Sequence, residues 1–493
     1  MAQEQYSVDW EMVAKIREEG FQRSEISNTL SYMTDVLGAR LTNSEDMRRA
    51  QDWAVKEMKQ IGLKNIEIEP FMDYGYSWDN QYFSLHMIEP DYQTMVGYPI
   101  SHTPGINGRQ KLTVVRADIK TKADLDKYKG KLRGKAVLAS PPPNIDQDRY
   151  RNGTPRYTDK ELKEISEKPF PKPPRGPRSP LNPNLVSSEE RNTFFKKEGV
   201  SVILESRSGW IAAVRGFARP GAKKDKWDRK GTLAHLPIVA VTPEHYNRMI
   251  RIVKREIEVK IEIEIKTKVG KNRRKARNVL GEIVGSDKKD EVVMLGAHFD
   301  TWHASPNASD NTSGVAVMLE AMRILKAVDV QPRRTIRIAL WSGEEQGLHG
   351  SREYVNKHFG NPNDPDVGQK DGYESFSAYF NQDYGPGQYR GIYLQDNEHV
   401  RNFFTSLMVP FKDLGMTTIG SQSVGSTDHI PFDRAGLPAF QFLQDRVGGT
   451  GGHTNLDFYD TIPIEDIKKN AVIVASFVYH TAMLEERLPR KLK

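Results

Sequence analysis

The sequence contains no cysteine, and this absence narrows the chemistry open to the protein. Disulfides, thiolate metal sites and a cysteine nucleophile are excluded, so any metal ion must bind to histidine and carboxylate side chains. Long apolar runs are also missing, because the run at residues 471–478 is far shorter than a membrane span. The first residues carry no signal-peptide pattern, so we expect a soluble protein or the mature form of an exported one.

Two motifs of common enzyme classes are absent as well. A serine hydrolase would have a G-x-S-x-G turn, but residues 420–425 read GSQSVG, with one residue too many. No G-x-x-x-x-G-K-[ST] loop for nucleotide phosphates occurs. The formal net charge is only +7, and the densest basic run, KNRRKAR at residues 271–277, has no interleaved aromatic residues. We therefore interpret that run as a solvated loop and expect no nucleic-acid partner and no membrane partner.

The length of 493 residues, with 37% hydrophobic residues, predicts two domains. Apolar residues recur at helical spacing in residues 24–63, and an extended run follows at 66–71. From about residue 112 the sequence pattern is typical of short strands separated by turns. Within this region, residues 141–183 are rich in proline and charge, which predicts a loop or excursion, because proline cannot join a sheet interior.

From residue 261 onward, strand and helix patterns alternate. Such alternation is typical of a mostly parallel sheet covered by helices. The predicted strands lie at 261–265, 278–284, 292–297, 335–341, 391–395 and 439–443, and the predicted helices at 312–327, 400–411 and 464–484.

Polar residues follow two of these strands directly. His298 and Asp300 come after the strand at 292–297, and Glu344 and Glu345 come after the strand at 335–341. In a parallel sheet, residues just beyond the carboxyl ends of strands tend to form the site. Neighbouring strand residues point to opposite faces, so both glutamates can reach one pocket only if the chain bends. The Ser-Gly pair before them allows that bend.

Three further residues of metal-binding type lie in the same half of the chain. Asp310 lies in ASDNTSG, Asp383 in YFNQDYGPG, and His453 follows a glycine run that lets the backbone approach closely. Each of them alone is a weak signal. Two imidazoles and three carboxylates suit a pair of zinc ions, with one carboxylate bridging ions about 3.5 to 4 Å apart. The candidate set is His298, Asp310, Glu345, Asp383 and His453.

Ordered sequence blocks along most of the chain resemble those of one known family. The blocks are NVLGEIVG, EVVMLGAHFDTW, ASDNTSGVAVMLEAMRIL, RRTIRIALWSGEEQGLHGS, YFNQDYGPG, GSTDHIPFDRAGLPAFQF and HTNLDFYD. They are similar to those of metallopeptidase family 28 (clan MH), the co-catalytic di-zinc exopeptidases. Overall similarity is greatest to the plasma glutamate carboxypeptidase (carboxypeptidase Q-like) branch of that family.

The resemblance implies a role for each candidate residue. His298 and Asp383 are expected to bind one zinc ion, His453 and Glu345 the other, and Asp310 to bridge the two. Asp300 is expected to accept a proton from the far nitrogen of His298 and so fix its tautomer. Glu344 is expected to be the general base. The implied reaction is hydrolysis of short peptides, and the sequence does not distinguish aminopeptidase, carboxypeptidase and dipeptidase activities.

The resemblance also implies a domain organisation. Many family members carry a protease-associated domain between the first helices and the zinc sheet, and residues 112–255 look like one. We therefore expect a discontinuous zinc peptidase domain, residues 1–111 plus 256–493, with a β-rich insert at 112–255 that roofs the substrate cleft. The resemblance further predicts secretion or a periplasmic location, without excluding the cytoplasm, and a possible homodimer.

Some residues depart from the family pattern or stay outside the predicted site. Tyr384 stands where close relatives often have a smaller polar residue, so a different pocket wall is possible. Gly451 and Gly452 replace a second histidine that is common before the ligand. Packing or supporting roles are preferred for Asp428 and His429, and surface or loop positions for His303, His349 and His399.

Two alternative functions stay open on the sequence. A glutaminyl cyclase of the same fold keeps a similar ligand arrangement with one zinc ion, so a count of bound metal ions would distinguish it. A receptor-like relative would have no catalytic activity. Because all five predicted ligands and Glu344 are present, an enzyme is preferred.

Overall fold

The fold is described from a computed structural model of the chain. It describes residues 6–145, 156–168, 182, 184–447 and 452–491. Most of the predicted proline-rich excursion at 141–183 lies outside the described residues, as does Gly451. Within the described residues, no helix is both long enough and apolar enough to cross a bilayer.

The strands fall into two large sheets. In chain order they are β1 Lys64–Gly75, β2 Trp78–Glu89, β3 Gln93–Thr94, β4 Gly97–Pro99, β5 Gln110–Arg116, β6 Ala136–Leu138, β7 Val202–Glu205, β8 Ile238–Val241, β9 Lys260–Val269, β10 Arg274–Ile283, β11 Lys288–His298, β12 Arg334–Trp341, β13 Gly360–Asn361, β14 Gly368–Gln369, β15 Phe376–Asn381, β16 Tyr389–Tyr393, β17 Thr418–Gly420 and β18 Ala439–Gln444.

The α-helices flank these sheets. In chain order they are α1 Trp10–Gln22, α2 Ile26–Ser31, α3 Glu45–Ile61, α4 Lys122–Tyr128, α5 Asp159–Glu167, α6 Ser188–Glu198, α7 Arg229–Ala234, α8 Pro243–Val253, α9 Ser313–Ala327, α10 His349–His358, α11 Arg401–Met408, α12 His429–Arg434 and α13 Ile464–Met483.

Local sequence explains where the first long helix starts and stops. The side chain of Ser44 accepts a hydrogen bond from the backbone N–H of Met47 at 3.0 Å, which caps the start of α3. Gly62 ends the helix with φ +89°, a left-handed conformation that favours glycine. The helices predicted for residues 24–63 are thus confirmed, with a break between α2 and α3 that begins near Gly38.

The first sheet, as far as the described residues show, has the strand order β1-β10-β12-β11-β15-β18-β16-β17. Its centre is parallel, because β12, β11, β15 and β18 pair in the same direction. Every residue of β15 and β18 is buried, as expected for strands covered on both faces. Helices α9 and α13 pack in the main core on one face, whereas α10 and α12 contribute to a smaller aromatic core. The predicted fold class, a mostly parallel mixed sheet flanked by helices, is confirmed.

The second sheet, again within the described residues, has the order β3-β2-β9-β5-β6-β7-β8-β4. Residues 112–255 supply β6, β7, β8 and most of β5, but strands on both sides of that range complete the sheet. The strand predicted at 261–265 is part of β9, which pairs antiparallel with β2 and β5. Its assignment to the first sheet was wrong. Its burial alternates residue by residue, as in any strand with one covered face, so the pattern could not identify its partner.

Candidate metal centre

The carboxyl ends of three parallel strands bring the candidate residues to one edge of the first sheet. His298 is the last residue of β11 and lies in register with Trp341, the last residue of β12. Glu344 and Glu345 follow β12, and Asp383 follows β15, the other neighbour of β11. The polar residues predicted from strand ends therefore lie side by side.

His298 is held rigidly from the sheet side. Its side chain is only 1% exposed, and its Nδ1 donates a hydrogen bond to the main-chain carbonyl of Asp300 at 2.9 Å. A carbonyl can only accept, so Nδ1 carries a proton, and Nε2 is the nitrogen that could bind a metal ion. Nε2 lies 3.2 Å from Oδ1 of Asp310 and 3.6 Å from Oδ1 of Asp383.

The carboxylate of Asp300 has a different role from the predicted one. It accepts hydrogen bonds from the hydroxyl of Thr42 at 2.9 Å and from the backbone N–H groups of Glu344 and Glu345 at 3.1 and 3.3 Å. Asp300 is the residue that accepts the hydrogen bond from His298, as the resemblance implies, but it does so through its main-chain carbonyl and not through its carboxylate. The buried carboxylate instead fixes the loop that carries both glutamates.

The two glutamates reach one cavity because the chain turns sharply between β12 and Glu344. Gly343 has φ +77°, and a Cβ atom at this position would lie 3.1 Å from Cβ of His349. The predicted bend at the Ser-Gly pair is therefore present. Both glutamates line a cavity of about 380 Å³, a size at the small end of the range for small-molecule sites.

Asp310 lies between the two histidines. Its Oδ1 is 3.2 Å from Nε2 of His298, and its Oδ2 is 3.0 Å from Nε2 of His453. The turn before α9 is held by Asp457, which accepts hydrogen bonds from the backbone and the hydroxyl of Ser309 at 2.8 and 2.7 Å. Asp310 is thus placed to touch two cations at once.

His453 reaches the same cavity from a loop. Its Nε2 lies 2.9 Å from Oε2 of Glu345, and its side chain is 30% exposed. Gly452 allows the loop to approach, because a Cβ atom there would lie 3.1 Å from Oδ2 of Asp310. Phe217, from the segment between the second-sheet strands β7 and β8, packs edge-on against the imidazole with ring centroids 5.4 Å apart.

The same segment between β7 and β8 also binds the backbone just after His453. The N–H of Asn455 donates to the carbonyl of Val214 at 3.2 Å, and the side-chain oxygen of Asn455 accepts from the N–H of Val214 at 2.5 Å. Arg215 and Thr454 form an isolated antiparallel bridge. The segment between β7 and β8 of the second sheet thus contributes to the position of His453.

Two groups of side chains have their ligand atoms within 4.8 Å of one another. The groups, found among the described residues, are His298, Glu344 and Asp383, and Asp310, Glu345 and His453. His298 Nε2 and Glu345 Oε1 are buried without a hydrogen-bond partner among the described residues. Buried polar atoms that lack a partner are costly, and a shared cation would satisfy them.

The electrostatics of the cavity favour positive charge. Burial opposes a charge on His298, but the carboxylates of Asp383 and Glu344 outweigh it and raise the pKa of His298 well above its ordinary value. Burial likewise opposes a charge on His453, whose pKa the carboxylates of Glu345 and Asp310 raise to about 10. Burial and the neighbouring Asp310 raise the pKa of Glu345 to about 7. A divalent cation would relieve this excess of negative charge.

Three further residues named from the sequence lie outside the predicted ligand set. Tyr384 lines the cavity and is 42% exposed, and its hydroxyl donates to the carbonyl of Gly425. Asp428 is buried and accepts from the hydroxyl of Ser351 at 2.5 Å. His399 is exposed, as predicted.

His303 lies in a loop, as predicted, whereas the prediction of a surface or loop position for His349 was wrong. His349 is buried on α10, directly against Gly343. The ring nitrogen of His303 donates to the carbonyl of Pro99 at 2.6 Å, and its ring packs edge-on against Trp78. Burial lowers the pKa of each imidazole to about 4, so both are neutral packing residues.

Arg446 also lines the cavity, and the sequence interpretation missed it. It follows β18 by two residues. The strand-end rule that selected Glu344 and Glu345 points equally to this position. A ligand search restricted to histidine and acidic residues passes over it.

Comparison with known proteins indicates the class of enzyme to which this chain belongs. Residues 278–478 match the sequence profile of peptidase family M28. The chain contains a domain of this family and is a hydrolase of the metallo-exopeptidase class.

Individual relatives agree over most of the chain. Carboxypeptidase Q from Homo sapiens is 24% identical over 470 residues, which cover 94% of this chain and 86% of the relative. The crystal structure of a peptidase M28 precursor from Shewanella amazonensis SB2B superposes with a TM-score of 0.68 at 20% identity, covering 98% of this chain and 99% of the other. A zinc aminopeptidase from Bacillus subtilis gives a TM-score of 0.56 at 18% identity, covering 93% and 95%. These solved structures share the fold.

Proposed function

We propose that this protein is an exopeptidase that holds two zinc ions and hydrolyses the peptide bonds of short peptides. The observation that supports this most strongly is the position of Asp310, with one carboxylate oxygen near each of two histidines. His298 and Asp383 would hold one ion, and His453 and Glu345 the other. Nitrogen and carboxylate ligands of this number suit zinc.

Zinc ions bound in this way would polarise the scissile carbonyl, stabilise charge on its oxygen and lower the pKa of water at the site. The residues of the chain supply the rest of the mechanism. Glu344 lines the cavity, and the proposed ligand set does not include it, so it would be free to move protons. It would take a proton from the attacking water and deliver it to the departing amine.

Asp300 and Thr42 would act through Glu344 rather than on the substrate. Asp300 accepts from the backbone of Glu344 and is itself fixed by the hydroxyl of Thr42. A base must lie within hydrogen-bond reach of the proton it abstracts, so a loop held at its first residue favours transfer. We assign Asp300 a positioning role.

We further propose that the second domain is a protease-associated domain that covers the substrate cleft. The hydrogen bonds between Val214 and Asn455 and the contact between Phe217 and His453 support this arrangement. Export of the protein and dimerisation stay predictions from the family resemblance.

The test of the base is Glu344→Gln in the zinc-loaded protein. Turnover of a free dipeptide should fall by roughly 10²- to 10⁴-fold, because the proton carrier is lost while every ligand remains. Zinc content, measured by elemental analysis, should stay at two ions per chain. Glu353→Gln, on the outer part of α10, is the matched control and should retain full activity.

Full activity of Glu344→Gln would overturn the assignment of the base. A wild-type protein with one zinc ion and no hydrolysis of dipeptides would point instead to the cyclase alternative.

A further inference from the structure

One cation lies among the acidic residues of the cavity. The described lining includes Asp310, Glu344, Glu345 and Asp383, and Arg446 is the only lysine or arginine in it. In the proposed function the zinc ions would offset the charge of these carboxylates, which leaves Arg446 as the side chain of the described lining that can attract a substrate carboxylate. The side chain is about half exposed, so it can contact a ligand.

Arg446 lies at the same sheet edge as the candidate metal ligands. It follows β18, which pairs in parallel with β15, the strand that leads to Asp383. The side chain of Gln441 on β18 donates to the main-chain carbonyl of Asp383 at 3.0 Å. The guanidinium and the acidic cluster are therefore carried by neighbouring, hydrogen-bonded strands.

The guanidinium of Arg446 contacts two side chains at the start of α5. Its carbon lies 4.4 Å from the ring centroid of Tyr157, and its Nη2 donates to Oε1 of Glu161 at 3.1 Å. Arginine has five N–H donors in a planar fork. A stacked guanidinium with one hydrogen bond among the described residues retains donors for a second, bidentate partner.

The segment that carries Tyr157 is bonded to a residue that follows β18 of the first sheet. Asp445, next to Arg446, is fully buried and accepts a hydrogen bond from the backbone N–H of Tyr157 at 3.1 Å. Arg156 lies 3.2 Å from the same carboxylate and 2.6 Å from the carboxylate of Asp466 on α13. The segment before α5 is thus held in place, and Arg446 is preorganised, which lowers the entropic cost of binding.

We propose that Arg446 binds the free α-carboxylate of the substrate. The substrate class is then a short peptide with an unblocked carboxyl end, cleaved near that end, as in a dipeptidase or carboxypeptidase. This inference rests on the proposed exopeptidase function and adds to it the end of the peptide that is recognised.

The test compares one hydrophobic dipeptide with the same dipeptide amidated at its carboxyl end. The zinc-loaded wild type should hydrolyse the free dipeptide with a kcat/KM roughly 10- to 100-fold higher, mainly through KM, because the amide lacks the charge that Arg446 binds. Arg446→Gln should bring the free dipeptide down to the level of the amide and leave the amide unchanged. Arg446→Lys, which keeps the charge but loses the planar fork, should fall between.

Arg401→Gln is the matched control, because Arg401 is also paired with a glutamate but does not line the cavity. Its kinetics should equal those of the wild type. Equal hydrolysis of both dipeptides by the wild type, a preference for the amide, or an equal loss on both substrates in Arg446→Gln would overturn the inference while leaving the exopeptidase function intact. A two-zinc protein that hydrolyses neither substrate would overturn the proposed function itself.

Discussion

The two histidines of the candidate metal centre approach the same aspartate from structurally different regions. His298 ends a central strand and has a side chain that is 1% exposed, whereas His453 lies in a loop and is 30% exposed. The strand is fixed by pairing with β12 and β15, and the loop is fixed partly by Val214 and Phe217 of the second domain.

The two halves of the site, one around His298 and one around His453, are therefore held in place by different contacts. The His298 half is determined by the sheet, so it should persist without metal and without the second domain. The His453 half depends on contacts with the segment between β7 and β8, and small movements of that segment would change this half alone. Asp310 links the halves, because one of its carboxylate oxygens lies near His298 and the other near His453.

The largest expected effect comes from removing that shared residue. Asp310→Ala should lose both zinc ions and reduce activity by roughly 10³-fold or more, since the metals contribute several kcal/mol of transition-state stabilisation. Elemental analysis and dipeptide hydrolysis measure the two effects. Asp366→Ala, an exposed aspartate, is the control. Retention of one tightly bound zinc ion would show that the halves are more independent than the geometry indicates.

The next largest expected effect is a difference in thermal stability between the alanine variants of the two histidines. In metal-free protein, His298→Ala should lower Tm by roughly 5 °C, because it leaves buried polar groups without a partner and a cavity at the end of a central strand. His453→Ala should lower Tm by less than about 2 °C, since the side chain is part-exposed on a loop. Calorimetry of both variants gives the comparison. Equal shifts would contradict the difference in rigidity.

The smallest expected effect comes from weakening the contact between Asn455 and the segment between β7 and β8. Asn455→Ala removes the side-chain oxygen that accepts from Val214, and it should weaken zinc binding at the His453 position by roughly tenfold. Affinity at the His298 position should not change. Competitive chelator titration resolves the two constants, and Phe194→Ala, a partly buried residue packed against an apolar core of the second sheet, controls for general loosening. Equal weakening at both positions would argue against a domain contact that acts on one half.

Part of the candidate metal centre could be predicted from the sequence because parallel strands bring their carboxyl ends to one edge of a sheet. His298 and Glu344 could be proposed as neighbours from the predicted strands alone, whereas the strand before Asp383, Phe376–Asn381, was not predicted and Asp383 was named for its residue type. The oxygen of Asp300 that accepts from His298 could not be predicted, because backbone and side-chain acceptors of one residue are equivalent in a sequence. That distinction required coordinates.

Long-range pairing explains the other differences. The second sheet begins before residue 112 and continues beyond 255, because β2, which precedes this range, pairs with β9, which follows it. Alternating burial marks a half-covered strand but does not identify its partner. Arg446 was within reach of the strand-end rule, whereas its support by Tyr157 and Glu161, far away in sequence, was not.

The most direct test of the two-metal site is X-ray diffraction at the zinc absorption edge from crystals of the zinc-loaded protein. We expect two anomalous peaks about 3.5 to 4 Å apart, one beside His298 and Asp383 and the other beside His453 and Glu345, with Asp310 in contact with both. A single peak, or two peaks of which only one touches Asp310, would contradict the account.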